Sequence, residues 1–332
     1  MKALALEASR CADRMNVRPV TIFFGGGTPT ALTTKQLSEV CTMLHDTFRL
    51  DAVEEWTVEM NPATVSAEKA RMLLDHGVNR MSMGVQAWQP HLLKVLGRVH
   101  SSEQALRSYS VLREAGVSNV NLDLMFGVPG QTPEDWAESL DITIGLAPEH
   151  ISAYSLTYEE DTEFFRQQKR GLLHTDAEID AGMFELAMSA LQNAGYEQYE
   201  ISNHAKPGRA CAHNMAYWLG ADYLGLGPGA VSTLGKRRRT NAPDTAAYTR
   251  CLIDEGCPPA AIEPLEPALR QREILSFLLR TSLGLDPVEC GDWRNELEEY
   301  QQQGWLQAGS SGRWCLTTRG KMVADALAEV FW

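Results

Sequence analysis

The run Phe23-Phe24-Gly25-Gly26-Gly27-Thr28-Pro29 decides how this chain is interpreted. It follows a short apolar segment that begins at Val20 and precedes a helix-like segment. Glycines at the end of a strand let the backbone approach a ligand closely or adopt a positive φ. The run lacks the G-x-G-x-x-G and GK[ST] spacings of dinucleotide sites and P-loops, so by itself it fits a tight turn equally well.

Strand-like and helix-like segments alternate over residues 1 to about 200, and glycines follow several helices where C-terminal caps belong. The predicted strands are 19–24, 55–60, 80–86, 119–126 and 150–157. The predicted helices are about 2–14, 34–48, 65–76, 89–95, 101–115, 132–146 and 176–194. This order predicts an α/β fold with a parallel sheet, either open or closed into a barrel.

Three consecutive predicted strands place polar or small residues on one face. Glu59, Gln86 and Asp123 share that face, whereas methionine, valine and leucine occupy the other. Buried parallel strands are normally apolar throughout. We therefore expect these three side chains to line a polar cavity near the carboxyl ends of the strands. The alternative is that each of them caps a neighbouring loop.

Composition restricts the class of partner. The chain has 332 residues, 44% of them hydrophobic, and a net charge of -13, so neither nucleic acid nor an anionic membrane is a predicted partner. It contains no apolar run long enough to span a bilayer, and the N-terminus lacks the pattern of a signal peptide. Seven scattered cysteines suit reduced thiols, so the predicted location is cytoplasmic.

The rest of the chain predicts two smaller units. Residues 196–262 form a mixed α/β extension, whose basic run Lys236-Arg237-Arg238-Arg239 is predicted to be a solvated loop. Residues 263–332 suggest two helices, a hairpin and a final helix, which is a winged-helix-like order. We identify no basic helix in that module, so we expect it to pack against the protein rather than bind DNA.

Five motifs together resemble the radical SAM coproporphyrinogen III dehydrogenase family, and most closely its haem-chaperone branch. They are 24–29 (Phe-Gly-Gly-Gly-Thr-Pro), 59–62 (Glu-Met-Asn-Pro), 84–86 (Gly-Val-Gln), 97–98 (Gly-Arg) and 123–132 (Asp-Leu-Met-Phe-Gly-Val-Pro-Gly-Gln-Thr). The resemblance covers almost the whole chain. It implies that residues 1–195 form a partial (β/α)6-type radical SAM barrel.

The resemblance also implies a site for S-adenosylmethionine (SAM). The residues it assigns to that cofactor are Gly26, Gly27, Thr28, Glu59, Gln86, Arg98 and Asp123. Exposed glycine backbone suits close approach, carboxylates suit ribose hydroxyls or an ammonium group, and a guanidinium suits a carboxylate. For Arg98 alone, the alternative is a surface ion pair.

A second motif, His213-Asn214-Met215-Ala216-Tyr217-Trp218, resembles a His-Asn-x-x-Tyr-Trp segment that is linked to haem binding in the chaperone branch. The resemblance implies that His213 and Tyr217 ligate or contact haem and that Trp218 packs on the porphyrin. The alternative is a structural histidine. Cys211 beside His213 does not by itself make a metal site.

One feature of the family is missing from these residues. Its first strand carries a Cys-x3-Cys-x2-Cys pattern that holds a [4Fe–4S] cluster, and no cysteines here have that spacing. We expect the sequence to begin inside the first helix of the family, through a truncated gene model, without the first barrel strand or the cluster loop. A chain without those ligands is not expected to cleave SAM.

Three functions are compatible with these observations. The first is a haem chaperone that passes haem to an unknown acceptor protein. The second is a non-catalytic relative, without a cluster, that keeps haem or SAM binding. The third, ranked last, is an oxygen-independent coproporphyrinogen III dehydrogenase of porphyrin biosynthesis. Whether the chain is an enzyme is left open.

Overall fold

The computed structural model describes residues 1–160, 162–171, 176–309 and 311–332. Its strands are β1 (Thr21–Phe24), β2 (Glu55–Met60), β3 (Arg80–Gln86), β4 (Val120–Phe126), β5 (His150–Ser155), β6 (Glu197–Gln198), β7 (Asn203–Ala205), β8 (Val231–Leu234), β9 (Arg237–Asn241), β10 (Ala260–Pro264), β11 (Leu306–Ala308) and β12 (Trp314–Leu316). Its α-helices are α1 (Lys2–Arg14), α2 (Thr34–Thr47), α3 (Ala67–Asp75), α4 (Pro90–Val95), α5 (Ser102–Glu114), α6 (Pro133–Leu146), α7 (Glu163–Lys169), α8 (Ala177–Asn193), α9 (Ala212–Trp218), α10 (Thr245–Asp254), α11 (Pro267–Leu279), α12 (Arg294–Gln302), α13 (Thr318–Lys321) and α14 (Ala324–Ala328).

One seven-stranded sheet organises the first part of the chain, in the order β1-β2-β3-β4-β5-β7-β6. Strands β1 to β5 pair in parallel, and β7 pairs with β5 in the antiparallel direction. Parallel neighbours require crossover connections, and α2, α3, α5 and α6 supply them. The predicted α/β class with a parallel sheet is confirmed.

The two faces of this sheet differ in chemistry. Met81, Met83 and Leu122 point toward the helices and are fully buried in the main apolar core. Alternation along each strand then directs every second residue to the opposite face, which carries the polar side chains. The sequence predicted that the two faces of the sheet differ in this way. The polar side chains, which form the candidate site, lie on the face away from the helices.

The sequence also marks where helices begin. Thr132 accepts a hydrogen bond from the Asp135 amide, Asp135 bonds back to the Thr132 amide, and Pro133 occupies the first turn. This capping box fixes the start of α6 directly after the loop that follows β4.

The extension contains a three-stranded antiparallel sheet in the order β10-β9-β8. The prediction of a solvated loop at residues 236–239 was wrong, because Arg237, Arg238 and Arg239 belong to β9. Arg238 makes a two-point ion pair with Glu273 at 2.8 and 2.9 Å. Arg238 is therefore paired with an acidic partner that is distant in the sequence.

A separate apolar core forms around α11, α12 and the β11–β12 hairpin, and Leu279, Leu297 and Phe331 are buried in it. This helix, helix, hairpin order matches the predicted C-terminal arrangement. The division into 1–195, 196–262 and 263–332 stays a prediction. Across the described residues, no helix combines the length and hydropathy needed to cross a bilayer.

Candidate functional site

The register of the sheet brings the polar residues of neighbouring strands side by side. Glu59 of β2 is paired with Ser82 of β3, and Gly84 of β3 is paired with Asp123 of β4. The register therefore places Glu59 and Asp123 on one polar face of the sheet.

The glycine loop lies against Glu59. A Cβ built at Gly25 would lie 2.5 Å from the Phe23 ring and 3.0 Å from the Glu59 carboxylate, so no larger residue fits there without movement. Gly26 has a φ of 79°, and nothing lies within 4 Å of a Cβ built on it. The loop is thus packed on the carboxylate at Gly25 and open at Gly26, as a rim for a ligand would be.

Glu59 carries a perturbed carboxyl. Burial, followed by the nearby charge of Asp123, raises its pKa to about 7, although a hydrogen bond with the Gly26 backbone and the charge of Arg80 act in the opposite direction. A carboxyl whose pKa is raised by burial and by a second carboxyl is a candidate functional group.

Asp123 is held by two neighbours on the same face. Asn121 donates to its carboxylate at 2.6 Å and Ser82 donates at 3.3 Å. Burial still raises the pKa of Asp123, because these donors only partly replace water. The carboxylate is therefore fixed in orientation before any ligand arrives.

Gln86 ends β3 in an unusual conformation. It has a φ of 71° and lies at a β-bulge with Gly84, and a Cβ built at Gly84 would lie 2.8 Å from Gln86 Nε2. Its Oε1 accepts a hydrogen bond of 2.7 Å from the Tyr154 hydroxyl of β5. Backbone strain of this kind persists only where surrounding contacts hold it.

Tyr154 was not predicted from the sequence, because a tyrosine within a strand is most often a packing residue. Its hydroxyl pKa is raised by burial and by Asp123 and Glu59, and lowered by Gln86 and Arg98. Four of the residues predicted for the SAM site therefore influence the pKa of one hydroxyl, so Tyr154 lies close to that site.

Arg98 lies just beyond α4 and is partly buried. No ion pair involving Arg98 occurs among the residues that the structure describes, so the alternative of a surface ion pair gains no support. Gly27 and Thr28 are exposed, and the Thr28 carbonyl accepts from the Ala31 amide to start a short 3₁₀ turn.

The second predicted group lies at the other end of the strands. His213 Nδ1 is 2.8 Å from the hydroxyl of Thr21, the first residue of β1, and its ring stacks on Phe23 with centroids 4.9 Å apart. Within the described part of the chain, nothing hydrogen-bonds to Nε2 of His213. Burial is the largest effect on the ring and lowers its pKa, which favours the neutral form that binds metals.

Of the two aromatic residues predicted to act with His213, only Tyr217 lies beside it. The Tyr217 ring lies edge-on to His213 with centroids 5.0 Å apart and is 40% exposed. Trp218 instead packs edge-on against Phe277 of α11, at 5.9 Å. The structure thus groups His213 with Tyr217, whereas Trp218 joins α9 to the C-terminal module.

Glu55, which was not predicted, anchors the helix that carries His213. Its carboxylate accepts hydrogen bonds from Cys211 Sγ at 3.2 Å and from the Ala212 and His213 amides at 3.0 Å each. These backbone donors lie at the start of α9, where they have no partner within the helix. Glu55 is the first residue of β2, so α9 begins at the amino end of the parallel sheet.

A chain of buried hydrogen bonds joins the two groups. Asn121, which holds Asp123, lies 2.6 Å from His150 Nδ1. His150 Nε2 is 2.8 Å from the Tyr199 hydroxyl, which accepts from the Cys211 amide at 3.4 Å. Burial lowers the pKa of His150 well below its ordinary value, so the ring is neutral.

The donor set for an iron–sulfur cluster does not assemble from these residues. Cys41, Cys211 and Cys290 are buried in separate places, and the remaining cysteines are dispersed. Among the described residues, no group of three His, Cys, Asp or Glu side chains could hold a metal ion. The hydrogen bonds that orient the side chains of Asp123 and His213 involve none of these cysteines.

Comparison with known proteins places this arrangement in a family. Residues 8–142 match the model of the radical SAM superfamily. The heme chaperone HemW of Bacillus subtilis (strain 168) is 34% identical over 322 residues, which cover 94% of this chain and 85% of the relative. The heme chaperone HemW of Escherichia coli (strain K12) is 34% identical, over 94% of this chain and 83% of the relative.

A solved structure supports the fold. The coproporphyrinogen III oxidase HemN from Escherichia coli, a radical SAM enzyme, superposes with a TM-score of 0.85 and 22% identity, over 99% of this chain and 82% of that chain. At this identity the likeness concerns the fold alone. Together, the parallel sheet with its glycine-rich rim and the identity to the two HemW proteins show that the chain belongs to the HemW family of the radical SAM superfamily.

Proposed function

We propose that this protein binds haem through His213 and Tyr217 and delivers it to an acceptor protein, and that it keeps a separate pocket for SAM. The observation that carries the proposal is the state of His213. Its Nδ1 is engaged with Thr21, its ring is neutral and held on Phe23, and its Nε2 is left for a ligand. A histidine that ligates iron has this arrangement, with one nitrogen bonded and the other available.

The surroundings of His213 also suit an extended aromatic ligand. Tyr217 is exposed on α9, and Leu219 is exposed at the C-terminal end of that helix. Phe23 supplies an aromatic surface below the imidazole. Aromatic side chains stack favourably on flat ring systems. The relatives named as heme chaperones support haem as the ligand.

The haem site is tested by titrating the full chain with haem and recording the Soret band. We expect a saturable shift in the unchanged protein and its loss when His213→Ala and Tyr217→Phe are combined. His91→Ala is the matched control, because His91 is an exposed histidine on α4. Absence of a shift, or a shift that the double variant retains, would overturn the assignment.

The SAM pocket is supported by the open glycine rim, the perturbed Glu59 and the oriented Asp123. We assign to it Gly26, Gly27, Thr28, Glu59, Gln86, Arg98 and Asp123. When bound, SAM supplies an adenosyl group and a sulfonium. The residues of this chain would hold its ribose and amino-acid groups.

Calorimetric titration with SAM tests the pocket. Asp123→Asn removes a charge but keeps the shape, and we expect it to weaken binding by about tenfold or more, since a charge-assisted hydrogen bond contributes about 1.5–3 kcal/mol. Asp141→Asn, at an exposed position of α6, is the control. Equal affinity in both variants would remove Asp123 from the site.

A further inference from the structure

Gln86 is the one residue of the proposed SAM pocket that carries a side-chain amide. A glutamine amide can present either its oxygen or its NH2 group to a ligand, because the two orientations have nearly the same shape. Gln86 is 5% exposed, so a wrongly turned amide would leave a polar group without a partner in a buried place.

The amide has one of these two orientations in the structure. The Tyr154 hydroxyl donates to Gln86 Oε1 at 2.7 Å, so the oxygen is engaged inside the protein. Among the described residues, no acceptor is bonded to Gln86 Nε2. The two N–H groups are therefore the part of this amide that remains for a ligand.

The backbone around Gln86 and the absence of a side chain at Gly84 set where the amide lies. The left-handed φ of 71° and the bulge with Gly84 direct the side chain back over Gly84, where a Cβ would lie 2.8 Å from Nε2. The residue at 84 must consequently lack a side chain for Gln86 to lie as it does. Gly84 and Tyr154 hold the same amide from two sides.

We propose that Tyr154 is a positioning residue that holds the Gln86 amide with its NH2 group toward the pocket, so that the site selects an acceptor oxygen of its ligand at this point. The inference rests on the proposed SAM site. Asp123, Arg98 and Glu59 all act electrostatically on the Tyr154 hydroxyl, which places it at the centre of that site. The ligand group opposite Gln86 is a hydroxyl or carboxylate oxygen.

The first experiment is a double-mutant cycle in SAM binding, measured by calorimetry on the full chain. We expect Tyr154→Phe to weaken binding about three- to tenfold, the range for one lost hydrogen bond. In a Gln86→Leu background the same change should have no further effect, since there is no amide left to orient. Tyr300→Phe, in the C-terminal module, is the control.

A second cycle needs no ligand. The urea midpoints of Tyr154→Phe, Gln86→Leu and the double variant should be non-additive, because the two groups are in direct contact. Additive midpoints, or unchanged SAM affinity in Tyr154→Phe, would overturn the role of Tyr154. Failure of the unchanged protein to bind SAM would instead overturn the pocket, and the stability cycle would still report whether Tyr154 holds Gln86.

Discussion

The backbone amide of His213 donates a hydrogen bond of 3.0 Å to the carboxylate of Glu55, 158 residues earlier in the chain. The helix that carries the proposed haem ligand is thereby attached to the first residue of β2. Because α9 contains only 7 residues, it has little stability of its own and depends on this attachment.

Glu55→Gln should loosen α9. A glutamine keeps one acceptor oxygen but loses the charge, so the three donors of 211–213 can no longer all be satisfied. We expect unfolding to become easier by about 1–3 kcal/mol in urea and haem affinity to fall. Glu54→Gln, at an exposed neighbouring position, should change neither. Wild-type stability and haem affinity in Glu55→Gln would show that the cap is dispensable.

The raised pKa of Glu59 predicts a pH dependence with a definite sign. Between its ordinary value of 4.5 and about 7, the folded protein holds a proton on Glu59 that the unfolded chain releases. Stability therefore falls as pH rises through this window, and by about 3 kcal/mol at most. In denaturant unfolding from pH 4.5 to 8, the free energy of unfolding of Glu59→Gln should rise relative to that of the unchanged protein across the window. Glu68→Gln, at an exposed position of α3, should show the same pH dependence as the unchanged protein. A constant difference would contradict the raised pKa.

The lowered pKa of His150 predicts that stability changes with pH in the opposite direction. Its pKa is depressed below 6.5, so the unfolded chain binds a proton that the folded one refuses, and its contribution is lost as pH falls below that value. His150→Phe leaves Asn121 Oδ1 and the Tyr199 hydroxyl without their ring partner, which should cost about 2–4 kcal/mol at pH 7. The gap between wild type and variant should narrow toward pH 5. A gap that widens there would mean that the folded protein tolerates a charged imidazole.

The hydrogen bonds of Glu7 predict how α1 is held against the rest of the fold. Glu7 is 3% exposed, and its carboxylate accepts from Asn241 Nδ2 at 2.8 Å, the Gly227 amide at 2.8 Å and the Tyr248 hydroxyl at 2.6 Å. Glu7→Ala should cost about 3–5 kcal/mol, because buried donors lose a charged partner. Hydrogen exchange should rise selectively over residues 2–14, and Asp13→Ala, on the exposed side of the same helix, should leave it unchanged. Unaltered exchange in Glu7→Ala would show that other contacts hold the helix.

The sequence was sufficient where local patterns determine structure. The bounds of β2 and β3 agree with the predicted 55–60 and 80–86, because apolar and polar residues alternate within each segment and helix-like segments flank it. The grouping of Glu59 with Asp123 followed from the same alternation, since parallel strands place equivalent positions side by side.

The sequence was insufficient where the partner is distant. The residues 236–239 looked like a solvated loop because their acidic partners, Glu7 and Glu273, are far away in the chain. Tyr154 and Glu55 were missed for the same reason, since a tyrosine or a glutamate in a strand shows its role only when Gln86 or α9 is in place. Likewise, only the packing of α11 reveals that Trp218 leaves His213 and Tyr217.

Strand β2 also sets the distance between the two proposed sites. Glu55 at its start holds the proposed haem helix, and Glu59 near its end faces the proposed SAM pocket. Four residue steps of a regular strand, roughly 13 Å, separate the Cα atoms of these two residues. A pleated strand inside a sheet neither stretches nor bends appreciably. Groups bound at the two ends of β2 would therefore keep a fixed spacing along the strand, with the Phe23 ring between them, since it stacks on His213 and lies beside Gly25.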